Sequence, residues 1–127
     1  MRRTLILTLA VLACALAVCQ ASLMALNDIV DEAQSLRSQA LLAADRGEDA
    51  RAAELLVQLA QRWREAAGLM EVIASHDALH DVATAIAEAQ IGLEFRARDD
   101  FLRAMNALDT GLAHLRDEEA VRWENLY

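Results

Sequence analysis

Proline is absent from this chain, and its 127 residues include only four glycines. Few positions therefore force a kink or invite a left-handed turn. Aromatic residues make up 4%, and the β-branched residues are scattered, so strands have little support. Alanine and leucine take their place, a mixture that favours helix. Lysine is missing too: all 12 basic residues are arginine. The two cysteines, Cys14 and Cys19, both fall in an apolar N-terminal run. The remainder has no thiol for a disulfide, a cysteine metal site or a redox pair.

Positive charge is also scarce. The formal net charge is −8, and every acid lies at or beyond Asp28. From residue 22 onward, 10 arginines stand against 20 acids, a net −10. A surface that acidic repels a phosphate backbone, so nucleic acid is excluded as a partner.

The opening, "MRRTLILTLAVLACALAVCQASLMAL", has a short basic start and an uncharged run through Leu26. That run of about 23 residues is long enough to span a bilayer as a helix. Arg2 and Arg3 should remain in the cytoplasm, which places the residues after about 26 outside. Three fates compete: an uncleaved anchor, cleavage after Ala21 at "CQA", or lipidation at Cys14. The anchor is favoured because no charged or turn-forming residue separates the run from the helix that follows. Residues 1–22 are thus read as a signal anchor or signal peptide, and residues 23–127 as an extracytoplasmic domain. Cleavage would make the domain a secreted one.

Four helical segments follow, joined by short turns. The first, 23–44, carries an apolar stripe at Leu26, Ile29, Ala33, Leu36, Ala40 and Ala43. "DRGED" ends it, with Gly47 suited to the left-handed position after a helix. The second, 49–73, carries Ala52, Leu56, Leu59, Trp63, Ala66, Met70 and Ile73, widened by Ala53, Ala60 and Ala67. The third, 76–96, carries Leu79, Val82, Ile86, Ala89 and Leu93. "RARDD" separates it from the fourth, 100–121, with Asp99 or Asp100 as cap and Phe101, Met105, Leu108, Leu112 and Leu115 as stripe. Short connections imply antiparallel neighbours. The spacing therefore predicts an all-α, up-down bundle of about four helices, the first continuous with the membrane helix. The turn at 74–77 and the C-terminal tail then lie at the membrane end.

"ASHDALHD", residues 74–81, sets His76 and His80 one helical turn apart. If the third and fourth helices fold about position 97, residue i faces about 194 − i. His80 then falls opposite His114, and His76 opposite Glu118. Three histidines at one end of a bundle are a reasonable zinc, copper or nickel arrangement, and His76, His80 and His114 are the candidate metal ligands. The plainer reading is a helix start: Ser75 or Asp77 as cap, and acids answering the helix dipole. The pair also lacks the glutamate of a zinc protease motif.

No Gly-rich phosphate loop and no nucleophile elbow occurs, and the serines lack a glycine setting. The sequence predicts no enzyme and no cofactor. "DRGEDARAAELL" looks like the turn of a tetratricopeptide repeat, but no second copy follows at a 34-residue period.

"GEDARAAELLVQLAQRW", the histidine turn, "RDDFLRAMNALDTGLAHL" and the closing "WENLY" together resemble a family of small bacterial proteins known as domain of unknown function 4363. The order of features carries the resemblance: an apolar N-terminal helix, an acidic turn before a helix ending at Trp63, His76, His114, and a tail of Glu124, Asn125, Leu126 and Tyr127. The chain departs from the family at His80, where an acid is usual, and at Arg116, where a proline often precedes the tail. The resemblance implies a membrane-anchored protein of Gram-positive, often spore-forming, bacteria with a membrane protein as partner. It implies no activity, cofactor or catalytic residue.

The expected function is therefore a non-enzymatic module that binds another protein outside the membrane. Trp123, Asn125 and Tyr127 of the tail are the candidate contacts. Trp63 is a further candidate, although its place on the stripe argues for core. Two other classes remain open: a metal-binding bundle using the three histidines, and a structural stalk that forms homo-oligomers through its heptad-like stripes.

Overall fold

The computed structural model describes the backbone of residues 1–126 and all their side chains except those of residues 72–73 and 119–126. It contains four helices: α1 (Arg2–Asp45), α2 (Asp49–Ile73), α3 (His76–Glu94) and α4 (Arg98–Leu126). No strand occurs among the described residues. With no proline or glycine before Gly47, nothing interrupts α1, and it runs unbroken for 44 residues.

Two turns are built alike. After α1, the Gly47 N–H donates to the Ala44 carbonyl at 3.1 Å and the Glu48 N–H to the Ala43 carbonyl at 2.8 Å. After α3, the Arg96 N–H donates to the Leu93 carbonyl at 3.2 Å and the Ala97 N–H to the Gly92 carbonyl at 2.9 Å. Both patterns satisfy the free carbonyls of a helix end and need one left-handed residue. Gly47 takes that role with φ of 77°, whereas α3 uses Arg96 with φ of 53°. A side chain there costs roughly 1–2 kcal/mol that glycine avoids. The turn after α3 lies two residues earlier than the sequence predicts: α3 ends at Glu94 and α4 begins at Arg98. Asp99 and Asp100 therefore lie in the first turn of α4 instead of capping it, where their charge still answers the helix dipole.

Each helix packs on two others: α1 on α2 and α4, α3 on α2 and α4. Among the described residues α1 does not meet α3, nor does α2 meet α4. The stripes face inward, with Leu26, Leu56, Leu59, Met70, Val82, Met105, Leu108, Leu112 and Leu115 almost wholly buried. Ile29, Leu36, Ala66 and Leu93 sit at the edge of that core. Val30, Leu55, Ala78, Ala85 and Ala104, which lie off the single stripes, are buried too. Of the second alanine stripe in α2, Ala60 and Ala67 are half-buried and Ala53 is exposed.

α3 and α4 come closest. A Cβ at Gly92 would lie 2.8 Å from the Phe101 backbone nitrogen, and one at Gly111 would lie 3.1 Å from Val82 Cγ2. Both pairs follow 193 − i, one residue from the register expected for this hairpin. Across the α1–α4 seam the links are polar. Arg116 pairs with Asp31, Gln34 donates to Asp109 at 2.9 Å, and Arg98 donates to Asp45 at 2.8 Å. These side chains are solvated, so each link contributes little on its own. The Arg98–Asp45 bond also brings the two tight turns to the same end of the molecule, where Ala44, Leu93 and Phe101 line one crevice.

Thermal and urea unfolding of the full chain should therefore separate the two turns. Arg96→Gly is expected to stabilise by about 1 kcal/mol and Gly47→Ala to destabilise by a similar amount. Gly92→Ala, which meets backbone, is expected to cost about 1–3 kcal/mol. A neutral Gly92→Ala would mean that α3 and α4 can part without loss.

Candidate functional site

The α2–α3 turn builds the end where the sequence places its histidines. Ala74 is extended and terminates α2, and Ser75 caps α3: its Oγ accepts from the Ala78 N–H at 3.3 Å. That satisfies one of the free amides of a helix start. The same hydroxyl donates to Glu118 Oε2 of α4 at 3.5 Å. His114 Nε2, one turn earlier on α4, lies 3.0 Å from Glu118 Oε1. Glu118 thus joins the cap of α3 to a histidine of α4, close to the pairing expected between this turn and Glu118.

His76 and His80 do not join that group. Both are exposed on α3. Among the described residues no three His, Cys, Asp or Glu side chains come near enough to hold a metal ion together. The H-x-x-x-H spacing puts the two rings on one face, and among the described residues no third such side chain completes a ligand set with them. Chemically, the arrangement that forms is a helix cap whose hydroxyl also reaches a carboxylate of α4, which fixes the α2–α3 turn against α4, with His114 beside that carboxylate. The hydroxyl of Ser75 is held by a carboxylate and by its own helix.

Trp63 is core, as its stripe position indicates: it is 4% exposed, and its Nε1 donates to the Leu79 carbonyl at 3.4 Å. This bond satisfies the buried indole N–H and ties α2 to the first turn of α3. Beside it, a shallow groove of about 230 Å³ runs between α1 and α2, lined by Ile29, Leu59 and Trp63 and crossed by the 3.2 Å Glu32–Arg62 pair. The tail candidates fall outside the described residues: the side chains of Trp123 and Asn125, and Tyr127 altogether.

Among the described residues, two clusters of exposed apolar side chains stand out. One is the N-terminal half of α1, where Leu5, Ile6, Leu7, Leu9, Val11, Leu12, Leu16 and Val18 all face outward together with Cys14 and Cys19. By length and composition α1 is long and apolar enough to cross a membrane. The other surface is near the two tight turns, where Val57, Ile91 and Phe95 stand exposed. No motif marks it. Its one sequence signal is that Ile91 and Phe95 fall off the stripe that runs from Ile86 through Ala89 to Leu93.

Compared with models of known protein families, with curated protein sequences and with solved structures, the chain matches none.

Ser75→Ala removes the cap and the Glu118 contact together and is expected to cost about 1 kcal/mol of stability, read by thermal unfolding. In a zinc titration of the full chain followed by calorimetry, no binding that depends on His76, His80 or His114 is expected. Micromolar binding lost in a His76→Ala, His114→Ala double variant would contradict the geometry.

Proposed function

We propose that this chain is a membrane-anchored, extracytoplasmic helical module that binds another protein and carries out no chemistry. The observation behind the proposal is α1. Its first half is apolar and exposed on every side, and from Leu26 the same helix enters the core. A helix with that division needs a second apolar medium for its first half, and a bilayer is the medium that fits its length.

In this reading the four helices form an up-down-up-down bundle continuous with the membrane helix. Two features support it. The chain reverses at residues 46–48 and 95–97 through near-identical turns. Along the α1–α4 seam, partner numbers fall on α4 as they rise on α1: Asp31 with Arg116, Gln34 with Asp109, Asp45 with Arg98. Arg2 and Arg3 assign the N-terminus to the cytoplasm and residues 23–127 to the outside. The anchor is preferred to cleavage because α1 passes through Ala21 without a break and residues 22, 23 and 25 are already half-buried.

A protein-binding role is preferred to catalysis because, among the described residues, the polar side chains that meet between helices do so in solvated ion pairs, hydrogen bonds and one helix cap. The partner is read as a membrane protein, since an anchored domain meets its neighbours within one plane. The "WENLY" tail is the proposed contact. Membership of the family known as domain of unknown function 4363 is part of the same proposal and rests on the quoted segments and their order.

Ser38→Cys in a chain lacking Cys14 and Cys19 is expected to react with a membrane-impermeant maleimide on intact cells. Reaction only after lysis would reverse the orientation, and release of a product beginning at Ser22 would replace the anchor by secretion. In native membranes, a photocrosslinker beside Trp123 should capture a partner that Trp123→Ala loses while helix content holds. Retention of that partner would remove the tail as the contact.

A further inference from the structure

The exposed ridge on α3 lies between two grooves. Ile91 and Phe95, 55% and 75% exposed, stand one helical turn apart near the end of α3. On one side a groove of about 570 Å³ separates α3 from the start of α4, floored by Gly92, Ala97 and Ala104. On the other, a groove of about 430 Å³ separates α3 from the start of α2 and includes Val57, itself 54% exposed. The charges around them are unequal: Asp49, Glu88, Glu94 and Asp100 against Arg96 and Arg103. Arg103 lies 3.8 Å from Asp100, whereas Asp49, Glu88 and Glu94 pair with no cation among the described residues.

We infer that this ridge, with its two grooves, is a docking surface for a cationic amphipathic helix of a partner protein. The inference rests on the protein-binding reading above and adds to it a second contact surface, apart from the tail, with its own partner chemistry. An apolar ridge flanked by grooves accepts the apolar face of a helix, with side chains spaced three and four residues apart on either side of Phe95. The acidic rim then meets lysines or arginines flanking that face. A second copy of this chain is a poorer occupant. It would bring the same acids against one another, within domains that each carry a net −10 from residue 22 onward. Lipid is a poorer occupant too. The ridge lies beside the turn that follows Asp45, and a helix rises roughly 28 Å between Leu26 and Asp45, which keeps the ridge clear of a bilayer holding the earlier residues. The partner would therefore reach the end of the bundle away from the N-terminal half of α1.

The test uses the full chain in nanodiscs of neutral phosphatidylcholine and a fluorescent amphipathic helix of leucine and lysine. Anisotropy is expected to show saturable binding, weakened about tenfold or more by Phe95→Ser and by Ile91→Ser. A Glu88→Gln, Glu94→Gln variant is expected to weaken binding and flatten its salt dependence. Circular dichroism should show the same helix content throughout, since all four side chains are exposed. The inference is overturned if the peptide fails to bind, if it binds empty nanodiscs equally, if a leucine–glutamate helix binds as well, or if Phe95→Ser changes nothing. It is also overturned if Phe95→Ser instead abolishes a dimer of the chain. In each of those cases a partner still crosslinked through the tail would leave the protein-binding reading intact and remove only this surface.

Discussion

At Gly92 the α3 backbone rests against the backbone of Phe101, so near that a Cβ would sit 2.8 Å from its amide nitrogen. A core rich in alanine requires such contact. Ala78, Ala85, Ala89 and Ala104 each bury little area, and the hydrophobic term scales with area. What alanine permits instead is proximity, and proximity multiplies dispersion contacts along the whole interface. Gly111 against Val82 repeats the device farther along the hairpin. The α1–α4 seam is of another kind, held at its rim by Arg116–Asp31, Gln34–Asp109 and Arg98–Asp45. Solvated pairs of this sort set register more than they add stability.

Much of the fold was legible because the chain has so few devices for breaking a helix. The stripes located α2 and most of α1, α3 and α4, and Gly47 located the first turn. The second turn was harder. "RARDD" contains no glycine, and a reading based on turn chemistry does not anticipate Arg96 in a left-handed conformation. It therefore set the end of α3 two residues late. The single stripes also omitted Val30 and Leu55, since each helix meets two neighbours and its buried arc is wider than one stripe.

The site was less legible. Spacing fixes which residues share a face of a helix but not where that face looks, so it aligns His76 with His80 without bringing a third ligand to them among the described residues. The Ser75 cap was legible because capping is local. Its second bond, to Glu118, was not: the expected register, one residue out, set His76 and not Ser75 opposite Glu118. Phe95 carried a different kind of signal. An apolar residue that falls off the stripe reads as unremarkable in a sequence. Exposure on a helix lined on both sides by grooves gives it meaning.

The unbroken course of α1 has a mechanical consequence. A flexible tether would let the bundle tumble like a float on a string. A single helix from Arg2 to Asp45, without proline or glycine, acts instead as an axle. Rotation of its first half turns the bundle by the same angle, and a lean of roughly 20° displaces the end at Asp45 by about 10 Å relative to Leu26. The faces of the bundle thus point in directions set by whatever grips the first half of that axle. Any contact made on one of those faces would therefore depend on the tilt.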